Sequence, residues 1–465
     1  VSIPETSPSG VAHAANTTDR PPAGQIPTEP SLLQLIIYSA PALPLAALTL
    51  PLYVLVPTFY TETLGLPLAM VGFALLLIRL FDAINDPVIG WVADHARSPL
   101  GRRRTVFLVS LPLTSLAGFM LFWPPQDATV SYLIGWGMAL SLGYTATLIP
   151  YYAWGAEMVA SYHGRSKLAG FREGFTLVGT LIAIALPFTL GFSQAGELHG
   201  LALLAIVVAT ALPVLGLLTV WKVPEPREYT RKPIGFIAGL GYLARNKPFV
   251  RLIAAYFMNG LANGIPATLF LYFVSDRLQL PDARGPLLFV YFLSAVAGVP
   301  VAMLVARRIS KHRAWTLAMI VNCLIFAAAP LLEPGALLAF AAICVSTGIL
   351  LGFDLALPSS MQADVIDVDT MTTGEQRSGL YFAAWSLTTK LSLAVGVGTV
   401  FPLLALFGFD PQASGGSSPT SLFALAVIYA WIPIVLKLVA IAIMWNFPLG
   451  EAEHDALRKK IEADE

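Results

Sequence analysis

Twelve apolar runs separated by short polar breaks account for most of the chain. They lie near 33–60, 67–93, 105–123, 130–155, 173–195 and 198–222, then near 249–275, 285–306, 314–332, 335–358, 379–408 and 420–447. A bilayer core about 30 Å thick takes roughly 20 helical residues, whereas barrel strands alternate over about 10. The runs do not alternate, so the pattern predicts an all-α membrane protein with twelve transmembrane helices in two six-helix bundles. The first bundle is expected at 32–222 and the second at 249–447, joined by a polar central loop at 223–248. Residues 1–31 are rich in Pro, Ser, Thr and Ala with no apolar period, which predicts a disordered tail. Residues 448–465 form a second, solvated tail.

Composition narrows the class. Of 465 residues, 56% are hydrophobic and 12% charged, with a mean hydropathy of +0.71. Soluble domains carry about 25% charged residues. The formal net charge is zero, so bulk charge implies no partner. The two cysteines, Cys323 and Cys344, fall in separate apolar runs and read as small core residues. No basic patch with interleaved aromatics suggests nucleic acid, and no nucleophile–base or metal-ligand constellation suggests an enzyme. The expected partners are a lipid bilayer and a small-molecule substrate, handled by a monomer, with no cofactor.

Where the basic residues lie sets the orientation. Breaks after even-numbered runs carry Arg97, Arg102, Arg103 and Arg104, then Arg165, Lys167 and Arg172, then Arg307, Arg308, Lys311 and Arg313, and Arg377. Breaks after odd-numbered runs carry only Arg277 and Arg284. Both tails are therefore expected in the cytoplasm, in a cell (inner) membrane. The basic turns after the second and eighth runs correspond, which fits a parallel repeat about an axis along the membrane normal.

Candidate chemistry concentrates in Arg79-Leu-Phe-Asp82-Ala-Ile-Asn85-Asp86-Pro87-Val-Ile-Gly90. Asp82 and Asp86, four residues apart, share a helix face at roughly 5–6 Å between Cβ atoms. Ionisable groups at membrane depth are costly and face a bundle interior or a water-filled cavity. Paired carboxylates there suit Na+ or a proton; a buried salt bridge through Arg79 is the alternative.

These residues also carry a resemblance. Gly90-x-x-x-Asp94 followed by Gly101-Arg-Arg-Arg resembles the signature loop of the major facilitator superfamily. Asp82-Ala-Ile-Asn-Asp86-Pro-x-x-Gly90 narrows this to the glycoside–pentoside–hexuronide:cation symporter family. Ile149-Pro-Tyr-Tyr-Ala-Trp-Gly-Ala-Glu157 resembles that family's fourth-to-fifth connection, and Ser360-Met-Gln-Ala-Asp364 through Arg377 its tenth-to-eleventh. The resemblance implies cation-coupled sugar or glycoside transport by alternating access, with a lysolipid or other amphiphile as the alternative substrate. It implies that Asp82 and Asp86 bind the coupling cation, H+ or Na+, with Thr145 nearby and Lys390 facing them from the other half. Arg172 lies within one residue of an arginine implicated in substrate contact. Two departures stand out: Leu148 and Ala46 occupy positions where sugar-transporting members carry aspartates.

Lys390 is the one charge in its run, so an ammonium there needs Asp82 and Asp86 as partners, either as a bridge released by the cation or as a permanent one. Asp354 sits within the tenth run and reads as a substrate anchor, a proton site or a packing acid. Asn259 and Asn263, in a run interrupted by Gly260, Gly264 and Pro266, line either a midplane cavity or a packing face. Tyr38, Tyr144, Tyr152 and Trp385 can stack on a sugar ring or serve as core and interface aromatics. Asp94, Arg102, Arg103, Glu157, Arg165, Asp364 and Arg377 are expected to form a cytoplasmic gate, with the same arginines setting topology.

Overall fold

The computed structural model describes residues 31–96, 98–158, 162–189, 199–225, 243–373, 378–411 and 418–448. Among these, twelve helices are long and apolar enough to cross a membrane. They are α1 (Leu32–Thr63), α2 (Leu68–His95), α3 (Arg102–Phe122), α4 (Val130–Met158), α5 (Tyr162–Ala185) and α6 (Gly200–Lys222). The second half holds α7 (Lys247–Arg277), α8 (Arg284–Ile309), α9 (Lys311–Phe326), α10 (Leu337–Thr373), α11 (Ser378–Leu406) and α12 (Pro419–Met444).

Two boundaries differ from the sequence pattern. The fifth helix starts at Tyr162, not 173, and passes into a 3-10 turn over Leu186–Phe188. Its first turns carry polar residues that read as loop but continue the helix past the apolar stretch. The tenth helix runs on to Thr373 although its apolar run ends near 358, at Pro358. Membrane helices tolerate proline where neighbours satisfy the freed backbone groups.

The packing repeats itself. α2 packs on α4, α3 on α4 and α6, and α1 on α5; six helices later, α8 packs on α10, α9 on α10 and α12, and α7 on α11. The halves meet through α1 with α7, α2 with α11, and α5 with α8. Exchanging the halves maps that set onto itself, as a two-fold axis between equivalent bundles requires.

Association of helices in lipid relies on close packing rather than on expulsion of water. The α8–α10 contact shows it. A Cβ on Gly298 would collide with the Ile349 carbonyl oxygen, and one on Gly352 with the Gly298 carbonyl carbon. The backbones touch where side chains would stand.

Matching features end α1 and α7. Each closes in a π turn, Phe59–Thr63 and Phe273–Arg277. Each then turns through a positive φ, +75° at Gly65 and +57° at Gln279. At the start of α6, His199 is buried, accepts the Ala202 amide at its Nδ1 over 3.1 Å and lies 4.6 Å from the Phe59 ring. Burial pulls its imidazole down to about 4.

Two expectations follow. Gly352→Leu should overpack the α8–α10 contact at a cost of about 1–3 kcal/mol, read as a lower Tm in detergent. The folded state holds His199 neutral while the unfolded chain protonates near its ordinary value, so stability should fall as pH drops from about 6.5 towards 4. His199→Asn keeps a capping oxygen and should flatten that part of a Tm-against-pH curve.

Candidate functional site

Where α2 crosses α11, the two halves share one charge cluster. Lys390 Nζ lies 2.6 Å from Asp86 Oδ1 and 3.1 Å from Asp82 Oδ2. Hydroxyls of α4 complete the site. Thr145 Oγ1 donates to Asp82 Oδ1 at 3.3 Å and Asp86 Oδ1 at 3.2 Å, and Ser141 Oγ donates to Asp82 Oδ1 at 2.7 Å. Ser386, on α11, reaches Asp86 Oδ2 at 3.4 Å. Arg79 Nη1 stands 3.8 Å from Asp82, with its guanidinium 5.4 Å from the Tyr53 ring centre. Two acids and two bases balance in a medium that solvates no net charge well.

Exposure separates the acids. The Asp82 side chain is 7% exposed, that of Asp86 24% and that of Lys390 19%. A charged group open at membrane depth must face water, because hydrocarbon cannot solvate it. Two buried donors nearby, Arg79 Nη2 and Asn85 Nδ2, have no acceptor. Chemically, the cluster offers hard oxygens held together by an ammonium that a smaller cation can displace.

Sequence reasoning placed Asp82, Asp86, Thr145 and Lys390, and the structure brings all four together. It missed Ser141, which lies one helical turn before Thr145 on the same face. Leu148 packs on the apolar core and Ala46 is buried.

Asp354 belongs to a second cluster, inside the second half. Its Oδ1 accepts Trp315 Nε1 at 2.7 Å, and its Oδ2 accepts Asn263 Nδ2 at 2.9 Å and faces Lys437 Nζ at 3.3 Å. Lys437 also donates to Asn259 Oδ1 at 2.6 Å. Asp354, Asn259 and Asn263 therefore hold one another and an unforeseen lysine. Protein donors take both carboxylate oxygens, so the packing alternative describes the acid in this state. The signal for Lys437 was present: a lone ammonium in the twelfth apolar run needs a buried acid. Beside this pair, between α7, α8, α9, α10 and α12, a cavity is lined by Phe270, Phe292, Phe326 and Phe340 with Asn263 and Lys437 among its polar groups.

The aromatic candidates divide. Tyr38 is fully buried, donates to the Tyr151 carbonyl at 2.5 Å and stacks on the Tyr151 ring, so it is core rather than a sugar platform. Tyr144 lies within electrostatic reach of Asp82, Arg79 and Tyr152. Tyr152 is exposed, with the Arg172 guanidinium 4.1 Å above its ring and Glu173 3.0 Å from that guanidinium. Trp385 stacks on Tyr256 at 3.8 Å.

At the basic end, Asp364 pairs with Lys311 of its own half at 2.6 Å, not with an arginine of the first half. Lys311 is the first residue of α9, which packs on α10 and so brings the ammonium to Asp364. The backbone amides of Arg103 and Arg104 donate to Glu225 at 2.8 and 3.0 Å, capping α3; Arg102 and Arg103 stand in its first turn. Arg377 and the side chains of Asp94, Glu157 and Arg165 lie outside the described residues.

The profile of the family described as MFS/sugar transport protein matches residues 37–451. The isoprimeverose transporter of Lactiplantibacillus pentosus is 24% identical, over 83% of this chain and 82% of that protein. Sodium-dependent lysophosphatidylcholine symporter 1 of Homo sapiens is also 24% identical, over 83% of this chain and 77% of that protein. Among solved structures, a bacterial homolog of the human lysosomal transporter Spinster, inward-facing and unoccupied, superposes with a TM-score of 0.67 at 15% identity, covering 89% of this chain and 95% of that one.

The buried Asp354–Lys437 pair makes a direct prediction. Lys437→Met leaves a carboxylate without its counter-ion and should cost about 3–5 kcal/mol, seen as a large loss of detergent Tm. Adding Asp354→Leu should restore most of it.

Proposed function

The chain belongs to the MFS/sugar transport protein family, and on that footing we propose that it couples inward movement of H+ or Na+ to uptake of a sugar or glycoside. The observation that carries this reading is the Lys390 ammonium, supplied by one half and held between two acids of the other at 2.6 and 3.1 Å. A cation arriving at Asp82 and Asp86 competes with Lys390 for the same oxygens. Winning that competition loosens the α2–α11 contact, so occupancy of the ion site biases which end of the bundle opens. Asp82, Asp86, Ser141 and Thr145 present oxygen ligands suited to Na+. Leu148, where a relative of the same family has a carboxylate, leaves the set one ligand short and favours H+. The ion is cargo; no resident cofactor enters the cycle.

In this reading the basic end faces the cytoplasm, as the distribution of arginine and lysine requires. The protein sits in the cell (inner) membrane and works as a monomer. Tyr152 with Arg172 and Trp385 with Tyr256 supply planar surfaces and a guanidinium for a hydroxylated ring. Asp94, Arg102, Arg103, Glu157, Arg165, Asp364 and Arg377 close the cytoplasmic end in the opposite state.

A second reading is uptake of a lysolipid or similar amphiphile. The similarity to the human lysophosphatidylcholine symporter favours it; the phenylalanine-lined cavity with Asn263 and Lys437, about 50 Å³ here, would have to widen to admit an alkyl chain.

The test is purified protein in proteoliposomes, screened against sugars and lysolipids with an imposed Na+ or H+ gradient. Uptake indifferent to both gradients removes the symport reading. Lys390→Ala should abolish gradient-driven accumulation while leaving exchange measurable. Asp82→Asn should reduce accumulation at least tenfold, equivalent to about 1.4 kcal/mol of lost coupling.

A further inference from the structure

Far from the ion site, at the end of the bundle opposite the basic loops, the halves are joined by a second set of polar contacts. Arg284, at the start of α8, lies 2.8 Å from Glu62 at the end of α1. Thr61 and Tyr272 share a hydroxyl hydrogen bond at 2.6 Å across the same seam. Glu62 and Thr61 lie in the π turn that closes α1, and Tyr272 immediately precedes the π turn that closes α7.

Those turns are copies. Phe59-Tyr-Thr-Glu62-Thr-Leu-Gly-Leu-Pro67 aligns without a gap on Phe273-Val-Ser-Asp276-Arg-Leu-Gln-Leu-Pro281. The backbone agrees: Leu64 N bonds Phe59 O at 3.2 Å and Leu66 N bonds Tyr60 O at 3.0 Å, while Leu278 N bonds Phe273 O at 3.0 Å and Leu280 N bonds Val274 O at 2.9 Å. Glu62 and Asp276 are equivalent positions. The same register places Met70 opposite Arg284. The seam therefore holds two equivalent acids and one of the two arginines that symmetry would supply.

The leftover acid is Asp276. Its Oδ2 is buried without a hydrogen-bond partner among the described residues. The charges of Glu62 and Arg284 both act on it. Among the described residues, Arg277 donates to the Pro330 carbonyl at 3.3 Å and Asp282 is open to solvent.

Opening this end must separate Arg284 from Glu62, because they belong to different halves. The Arg284 side chain is 14% exposed beside Glu62, and a guanidinium so little hydrated is disfavoured without a counter-ion. Asp276 travels with Arg284, being in the same half. We propose that Asp276 is the standby counter-ion of Arg284: with the seam closed Arg284 bonds Glu62, and with the seam open it transfers to Asp276. Asp276 is thus a positioning residue that lowers the cost of the outward-open state. This rests on alternating access but on no choice of substrate or ion.

The test reads the seam directly. Spin labels go on Thr63→Cys and Pro286→Cys, which face each other across the crevice beside the latch, in full-length protein with Cys323 and Cys344 replaced by alanine. Electron–electron distance distributions in nanodiscs, without substrate, give a short (closed) and a long (open) component. Glu62→Gln should raise the long component several-fold. Asp276→Asn should suppress it several-fold, and Asp276→Glu should restore it. Met70→Arg, which supplies the missing arginine and engages Asp276 across the seam, should also suppress it, and Asp276→Asn on top should remove that added effect. An unchanged or larger long component in Asp276→Asn or in Met70→Arg overturns the proposal. Undiminished gradient-driven accumulation in Lys390→Ala, with the distributions behaving as expected, would instead count against the coupling scheme at Asp82 and Asp86.

Discussion

One ammonium held between two carboxylates ties the halves of this protein together at membrane depth. Lys390 cannot be left unpaired inside α11, and Asp82 and Asp86 cannot both stay charged inside α2 without a cation between them. Each side's problem is solved by the other. The solution belongs to neither half, so it is available for exchange. Ser141 and Thr145 steady the acids from α4 and keep their oxygens aimed at the shared centre when the partner changes. The Asp354–Lys437 pair has the opposite character. Both members lie within one half, both are buried and both carry further hydrogen bonds, so nothing in a rocking motion needs to part them.

The packing explains how a local exchange becomes a global one. Glycine backbones in direct contact hold α8 on α10, and equivalent pairings recur in the first half. Each bundle is closely packed within itself, while the seams between bundles are few: α1 with α7, α2 with α11, and α5 with α8. Competition at α2–α11 and the latch beside α1–α7 lie on different seams, and together they can bias opposite ends.

Much of this could be read from residue order because membrane depth is a severe constraint. Apolar length located the twelve spans, missing the start of α5 and the end of α10 by several turns, and the cost of intramembrane charge singled out Asp82, Asp86, Lys390 and Asp354. What stayed hidden depended on partners. The role of Asp354 turned on Lys437, whose own position was plain but whose orientation across the bundle was not. Tyr38 looked like a ring platform until its buried bond to the Tyr151 carbonyl appeared. Asp364 found Lys311 through the short turn before α9 rather than a partner in the other half. Pro358 and the polar start of α5 misled because helices continue beyond their greasy portions.

The π turns at the ends of α1 and α7 carry a further consequence for helical phase. Each inserts one residue beyond regular α geometry, which rotates the following side chains by about 100°. Glu62 and Asp276 sit within these insertions. Had either helix kept its regular winding, the carboxylate would turn away by about a quarter of a revolution. The acids' inward aim is thus encoded by an irregularity of the backbone, duplicated with the rest of the fold, and a single-residue deletion there would change direction rather than composition.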